Sequence, residues 1–328
     1  MKNKPIFIIS GEPYSVFLEI FFKIFKSKFF STYKKPIIII ASKKLVELQM
    51  KKMNFSFKIN LIKQNQISKI KLYNSKINLI DVKLNITKPF GKISNKSSKY
   101  INNCFDMGIK LMKNKKGFAL INGPVSKKHF FGNKFPGVTE YLAKKTKRTN
   151  KEVMLIYNKH LSVSPITTHI PLKNVYRKIS TSKIVYKIKT INQFYKKKLN
   201  ITPRFAITGL NPHCESNFNN SEEKKIIKPA IKILKKKSLK IEGPYAADTM
   251  FINKNLKKFD VIIGMYHDQV LTPLKTLFGF NAINLTLGLP FIRISPDHGP
   301  NNQMLGQKKS DISSLKESLI FLKKLNGN

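Results

Sequence analysis

Short apolar runs alternate along the chain with longer stretches in which apolar residues recur every three or four positions. The short runs predict buried strands and the longer stretches predict helices that bury one face. The predicted strands are Ile6–Ser10, Ile37–Ala41, Ile77–Asp81, Gly117–Asn122, Val153–Tyr157, Leu161–Pro165, Arg204–Thr208, Asp260–Met265, Ala282–Leu287 and Phe291–Ser295. The predicted helices are Val16–Phe30, Lys43–Met53, Ser97–Lys113, Thr139–Lys147, Lys173–Lys197, Glu222–Lys237, Asp248–Asn253 and Ile312–Lys324. Such alternation predicts an α/β fold around a largely parallel sheet.

The length of 328 residues allows about two packed units of roughly 100–200 residues each. No Gly/Ser-rich or Pro-rich linker separates two halves, so two lobes would be joined by more than one crossing of the chain. The Lys- and Asn-rich stretch from Lys51 to Asn74 has weak periodicity. We expect it to be a solvated region of the first unit.

The charge is extreme, with 62 basic and 17 acidic residues and a formal net charge of +45. Only four of the basic residues are Arg, at positions 148, 177, 204 and 293. Nucleic-acid surfaces use Arg heavily, because its planar fork pairs with phosphates and guanine edges. The excess of Lys, Ile, Asn and Phe is instead typical of an AT-biased genome, so we expect scattered lysines and no nucleic-acid partner.

The cellular compartment is also constrained by the sequence. The apolar run before Gly11 is too short for a signal peptide or a membrane span, so we expect no membrane partner. Cys104 and Cys214 have no metal-binding spacing and no disulfide pattern. A reducing compartment, and hence a cytoplasmic protein, is the expectation.

Three histidines occupy equivalent positions after predicted strands. His169 follows Leu161–Pro165, His213 follows Arg204–Thr208, and His267 follows Asp260–Met265. Ligands bind at the carboxyl ends of strands in open α/β sheets, so the three imidazoles could converge. Three His with an open fourth position would suit a catalytic divalent metal such as Zn²⁺. The alternative is that each His makes only ordinary hydrogen bonds.

Two aspartates could support such a site. Asp268 and Asp248 could orient a ligand or accept a proton, although Asp248 could equally cap a short helix. The stretch that follows His267 contains Lys275, Asn284 and Arg293. Arg, Lys and an amide together suit a phosphate or carboxylate.

Arg293 lies in the apolar run Phe291–Ser295, where a charge is costly unless it is paired. The alternatives are a solvated surface role for Lys275 and a structural ion pair of Arg293 with Asp297 or another acidic residue.

Neither a GxGxxG motif nor a P-loop is present in the sequence, so neither of these motifs supports nucleotide binding.

Several segments together resemble a known family. They are NGPVSK, GVTEYLA, TTHIPL, TGLNPHCE, GPYAADTMF, MYHDQVLTPLK and NLTLGLPFIRISPDHG. In order and spacing they resemble the 4-hydroxythreonine-4-phosphate dehydrogenase family of pyridoxal 5′-phosphate biosynthesis, from about Ile6 to Gly306. The resemblance implies a two-lobed fold of the isocitrate/isopropylmalate dehydrogenase type with a central cleft. The lobes would comprise residues 1–138 with 286–328, and residues 139–285.

The resemblance also implies the site. The family's metal ligands fall on His169, His213 and His267, with Zn²⁺ as the first choice and Mg²⁺ or Co²⁺ as alternatives. Its substrate-binding residues fall on the set Thr139, Lys275, Asn284 and Arg293. The family is homodimeric, with the metal site completed across the interface. NAD or NADP would be the cosubstrate, with no binding residues assigned.

The implied reaction is oxidation of the C3 hydroxyl of 4-phosphooxy-L-threonine, followed by loss of CO₂. Asp248 and Lys127 are the candidates for proton handling. The chain has Val138 where the family often has His, and Ser126 where the family has His. Val138 leaves open a related dehydrogenase of another phosphorylated hydroxy acid. Two further alternatives are a basic nucleic-acid-binding protein with a decayed active site and a metal-independent acyl-phosphate transferase.

Overall fold

The computed structural model describes residues 4–214, 220–279, 281–296 and 298–326. The strands are β1 Ile6–Ile9, β2 Ile37–Ala41, β3 Ile59–Leu61, β4 Ile77–Asp81, β5 Ala119–Asn122, β6 Val153–Tyr157, β7 Ser162–Pro165, β8 Phe205–Thr208, β9 Ile241–Tyr245, β10 Val261–Gly264, β11 Ile283–Leu287 and β12 Ile292–Pro296. The helices are α1 Phe17–Lys26, α2 Lys28–Ser31, α3 Lys43–Lys52, α4 Ser98–Lys113, α5 Val138–Lys145, α6 Val175–Lys178, α7 Thr181–Phe194, α8 Lys228–Lys235, α9 Ala247–Met250, α10 Asn253–Leu256, α11 His267–Phe278 and α12 Ser313–Asn326. Single helical turns lie at Asn95–Ser97, Lys127–Phe131, Leu172–Asn174, Tyr195–Leu199, Pro212–Cys214, Glu223–Ile227 and Asn302–Met304.

The chain divides into two compact units. The first holds the described residues up to Asn150 together with Leu289–Asn326, and the second holds those within Lys151–Gly288. This division differs from the sequence boundaries at 138/139 and 285/286. The reason is that α5 packs into the first unit, where Tyr141 and Leu142 join its buried core.

The first unit is built on parallel strands in the order β3-β4-β2-β1-β5-β12. Every residue of β1 and β2 is buried. Strands covered on both faces carry continuous runs of Ile and Phe rather than an alternation with polar residues, which is what IFII and IIIIA show. Because all these strands are parallel, their carboxyl ends and the loops that follow them lie along one edge.

The second unit has the strand order β11-β6-β7-β10-β8-β9. Strand β6 is antiparallel to β11 and to β7, whereas β7, β10, β8 and β9 run parallel to one another. The neighbouring strands β7, β10 and β8 therefore end at the same edge. They are the three strands that precede His169, His267 and His213.

The predicted α/β class with largely parallel strands is confirmed, and all ten predicted strands are present within a residue or two of their bounds. Two strands, β3 and β9, and the helices α10 and α11 were not predicted. The expected helix Lys173–Lys197 is divided into α6, α7 and a final turn. In the described residues, no helix has both the length and the apolar character needed to cross a membrane.

The expectation of a solvated stretch from Lys51 to Asn74 was wrong in part. Strand β3 pairs with β4 inside this stretch, and Ile62 and Ile67 are each only 5% exposed. The spacing of the apolar residues there is irregular, because a three-residue strand and isolated buried side chains produce no period.

Candidate functional site

Two of the three predicted metal-ligand histidines lie side by side in the second unit. The ring centroids of His169 and His267 are 5.6 Å apart, with the ring planes inclined by 37°. His169 lies in the loop after β7, and His267 is the first residue of α11, directly after β10. Because β7 and β10 are adjacent and parallel, their following loops meet at one edge, as the sequence spacing predicted.

His267 has its ring orientation fixed by its neighbour. Its Nδ1 lies 2.6 Å from Oδ1 of Asp268, which is exposed. A proton on Nδ1 donates to the carboxylate and leaves the lone pair on Nε2. This pairing is the usual way in which a carboxylate orients a metal-binding histidine. Asp268 was predicted to orient a ligand, and its contact with His267 fits that role.

His213 follows the third of these parallel strands. It lies in the turn Pro212–Cys214 after β8, and both His213 and Cys214 have left-handed backbone conformations, with φ of 58° and 56°. Glu215, which follows in the predicted motif, lies outside the described residues. Within the described ranges, no group of three or more His, Cys, Asp or Glu side chains is arranged to hold a metal ion. The imidazole pair and its carboxylate fit a divalent metal chemically, while the convergence of all three histidines stays a prediction.

The loop that leads to His213 is held by a buried carboxylate that the sequence analysis missed. Glu223 is 1% exposed and accepts hydrogen bonds from the backbone N–H groups of Leu210 (2.8 Å) and Asn211 (2.9 Å) and from the Asn211 side chain (2.9 Å). Burial raises the pKa of Glu223, but the hydrogen bonds from Asn211 and Leu210 outweigh burial and lower it overall. Glu223 therefore stabilises this loop in its ionised form.

Arg293 is a buried cation in the first unit. It lies on β12, is 2% exposed, and donates from Nε to Oδ1 of Asn122 at 2.8 Å. Asn122 is the last residue of β5, the neighbouring parallel strand. Burial lowers the pKa of Arg293 to about 9, and the nearby Glu140 opposes that shift. Glu140 is thus an acidic neighbour of this guanidinium, whereas Asp297, suggested as a partner from the sequence, lies outside the described residues.

The lowered pKa has a consequence for ligands. The lowering reflects the water that the charged group loses on burial. An anion placed beside the guanidinium would restore part of that stabilisation. Thr139, predicted to bind substrate, precedes Glu140 in the first turn of α5 and is 4% exposed.

The other predicted residues are more exposed. Lys127 and Lys275 are exposed, and so is Asp248, whose Oδ1 accepts a hydrogen bond from the backbone N–H of Thr249 at 2.9 Å. Asn284 lies on β11, and its buried Oδ1 has no hydrogen-bond partner among the described residues. A buried amide oxygen without a partner is unusual and suits a ligand that donates a hydrogen bond. Because Lys275 and Asn284 belong to the second unit and Arg293 to the first, their grouping stays a prediction.

Glu12 is a second buried carboxylate that the sequence analysis missed. It lies in the loop after β1, is 2% exposed, and neither carboxylate oxygen has a hydrogen bond of good geometry within the described residues. Burial raises its pKa to about 7, although the backbone of Tyr14 and the side chain of Ser97 lie close enough to lower it somewhat. Its backbone N–H donates to Pro124 in the loop between Asn122 and Lys127. Glu12 therefore lies beside the loop that leads to Lys127.

A cavity of about 500 Å³ in the first unit does not coincide with these residues. It is lined by four aromatic side chains, four lysines and two further polar residues, namely Phe130, Phe131, Phe135, Tyr141, Lys99, Lys134, Lys144, Lys145, Ser98 and Asn102. None of the predicted site residues lines it, so the candidate site rests on the loops at the carboxyl ends of the strands.

Parallel strands followed by polar side chains, a buried Arg, and two neighbouring imidazoles, one of which contacts a carboxylate, are typical of an α/β enzyme that acts on small anionic metabolites. Residues 32–321 match the family described as "Pyridoxal phosphate biosynthetic protein PdxA". The chain belongs to this family, and it is accordingly a dehydrogenase, an oxidoreductase.

Individual relatives agree with this assignment. The chain is 40% identical to a 4-hydroxythreonine-4-phosphate dehydrogenase of Sulfurihydrogenibium sp., over 88% of this chain and 89% of the relative. It is 36% identical to a D-threonate 4-phosphate dehydrogenase of Cupriavidus necator, over 70% of each chain. The solved structure of a 4-hydroxythreonine-4-phosphate dehydrogenase from Klebsiella pneumoniae superposes with a TM-score of 0.83 at 27% identity, covering 99% of this chain and 100% of that one.

Proposed function

We propose that this chain oxidises 4-phosphooxy-L-threonine at its C3 hydroxyl with NAD or NADP. The nicotinamide takes the hydride from C3, and the hydroxyl proton passes to a base. The product, 2-amino-3-oxo-4-phosphooxybutanoate, is a β-keto acid that loses CO₂ to give 3-amino-2-oxopropyl phosphate. Family membership supports the reaction class, and the observation that carries the substrate class is the buried Arg293 beside Asn122.

The anionic groups of the substrate are assigned to basic and amide side chains. Arg293 suits a phosphate or carboxylate because its buried guanidinium presents several N–H donors in one plane. Lys275 and Asn284 would bind the remaining polar groups, and the unpartnered amide oxygen of Asn284 suits a hydroxyl or ammonium donor. Thr139 would contact the substrate through its hydroxyl.

A divalent metal is part of the proposal. His169, His213 and His267 would hold it, and Zn²⁺ is the first choice for three imidazoles, ahead of Mg²⁺ or Co²⁺. When bound, such a metal would draw electron density from the substrate's C3 oxygen. The paired rings of His169 and His267 and the contact of His267 with Asp268 support this assignment. We propose that a homodimer completes the site and that the enzyme works in the cytoplasm.

Proton transfer is assigned to Asp248 or Lys127. Both side chains are exposed, so a bound substrate could reach either one. The hydrogen bond that Asp248 accepts from Thr249 fits a turn-stabilising role as well, and it leaves Oδ2 for a proton. The substitutions Asp248→Asn and Lys127→Met would identify the base, because loss of the base lowers kcat.

A related substrate is the main alternative, because one relative is named a D-threonate 4-phosphate dehydrogenase and Val138 replaces a hydrogen-bonding residue of the family. The discriminating experiment measures NAD(P)H formation with 4-phosphooxy-L-threonine and with D-threonate 4-phosphate. We expect kcat/KM to be higher for 4-phosphooxy-L-threonine. A higher value for D-threonate 4-phosphate would overturn the proposed substrate and leave the dehydrogenase class intact.

A further inference from the structure

Three strand ends of the second unit are tied together at Met265, the first residue after β10. The backbone carbonyl of Met265 accepts hydrogen bonds from the N–H (3.1 Å) and the hydroxyl (2.7 Å) of Thr167. The backbone N–H of Met265 donates to Oε1 of Gln269 at 2.6 Å. Met265 thus connects the loop after β7 with the first turn of α11.

Gln269 extends this network to the third strand. Its Oε1 also accepts a hydrogen bond from the hydroxyl of Thr208 at 3.0 Å, and its Nε2 donates to the carbonyl of Gly209 at 2.8 Å. Thr208 is the last residue of β8 and is fully buried. One amide side chain therefore holds the ends of β8 and β10, and through Met265 the end of β7 as well.

Each tied residue lies a few positions before one of the three histidines. Thr167 lies two residues before His169, Gly209 lies four before His213, and Met265 lies two before His267. We propose that Gln269 is a positioning residue that holds the three histidine-bearing loops in register for a divalent metal. This inference rests on the proposed function.

The chemistry of the side chain explains why an amide is needed. Gln269 accepts two hydrogen bonds at one oxygen and donates one from nitrogen, and it does so without a charge. A Glu at this position would keep the acceptor but would place a carboxylate oxygen against the Gly209 carbonyl. An Ala would leave the Thr208 hydroxyl and the Met265 N–H without this partner.

The test measures Co²⁺ binding to the full-length protein by its visible absorption, and Zn²⁺ affinity by competition. We expect Gln269→Ala to weaken binding by roughly 10- to 100-fold, the usual effect of losing a residue that orients metal ligands. Gln269→Glu should give a smaller loss, and it also serves if the Ala variant does not fold. Thr276→Ala is the matched control, because this residue is exposed on α11 and its hydroxyl donates to the carbonyl of Thr272 within the same helix.

A double variant separates positioning from general destabilisation. If Gln269 acts through the loop of His213, Gln269→Ala should weaken Co²⁺ binding much less in a His213→Ala background than in the native chain. Equal losses in both backgrounds, or Co²⁺ affinity in Gln269→Ala within twofold of native, would overturn the inference while the metal site itself stands. Failure of the native protein to bind Co²⁺ or Zn²⁺ would overturn the proposed metal and this inference together.

Discussion

Burial of Glu12 makes the stability of the protein depend on pH near neutrality. The carboxyl group is 2% exposed, lies beside the loop of Pro124, and has its pKa raised from 4.5 to about 7 by loss of water. The folded state therefore holds a proton more tightly than the unfolded chain does. The free energy of unfolding is therefore highest, as far as Glu12 determines it, below pH 4.5, where the group is protonated in both states. It falls as the pH rises from 4.5 through 7.

The magnitude follows from the shift in pKa. One pKa unit corresponds to about 1.4 kcal/mol, so the shift at Glu12 costs about 3 kcal/mol above pH 8, of which roughly 2.5 kcal/mol develops between pH 5 and pH 8. Glu12→Gln keeps the shape of the side chain and removes the titration. The free energy of unfolding of the variant, relative to that of the native protein, should therefore rise by about 2.5 kcal/mol between pH 5 and pH 8.

The assay is urea unfolding followed by circular dichroism at pH 5 and pH 8 for the native chain and Glu12→Gln. Glu47→Gln is the control, because Glu47 is exposed on α3 and pairs only with Lys43 at 3.4 Å. Surface pairs of this kind contribute about 1 kcal/mol or less, so the control should track the native protein at both pH values. A stability difference between native and Glu12→Gln that is the same at pH 5 and pH 8 would show that Glu12 does not titrate between these pH values on folding.

Two further substitutions test the site. Arg293→Lys should lower kcat/KM by an amount equivalent to about 1–3 kcal/mol of transition-state stabilisation, chiefly by raising KM. The reason is that Lys lacks the planar guanidinium that could contact Asn122 and an anion together. A loss of thermal stability with unchanged kinetics would show that Arg293 has a structural role. Glu223→Gln should destabilise the protein by about 1 kcal/mol at pH 7, because the ionised carboxylate accepts backbone hydrogen bonds from Leu210 and Asn211. Since the pKa of Glu223 is lowered in the folded state, this deficit should shrink as the pH falls below 4.5, and urea unfolding at pH 7 and pH 4 measures it.

The strand framework could be predicted because buried parallel strands leave continuous apolar runs in the sequence. Strand β9 was missed because IEGPY contains a glycine, a proline and an exposed glutamate. Helix α11 was missed because Pro273 lies inside it, although Val270, Leu271 and Leu274 are buried with helical spacing. Such elements depend on packing by distant parts of the chain, which local sequence patterns do not contain.

The candidate site likewise contains residues that could be predicted from the sequence and residues that could not. The positions of His169 and His267 after neighbouring strands could be predicted, because strand ends and sheet order constrain them. Gln269 could not, since its partners Thr208 and Gly209 lie about sixty residues away in the sequence. Glu12 was missed for a related reason, because its effect depends on burial and not on any motif.

Turnover before and after metal removal tests whether the dehydrogenase depends on a divalent metal held by the three histidines. NADH or NADPH formation from 4-phosphooxy-L-threonine would be followed for the purified protein, for protein treated with EDTA and dialysed, and for treated protein supplied again with Zn²⁺ or Co²⁺. We expect activity in the first sample, loss of at least about 99% in the second, and recovery in the third, because a bound divalent metal would stabilise charge on the reacting oxygen. Full turnover after complete removal of metal would contradict the proposed role of the three histidines.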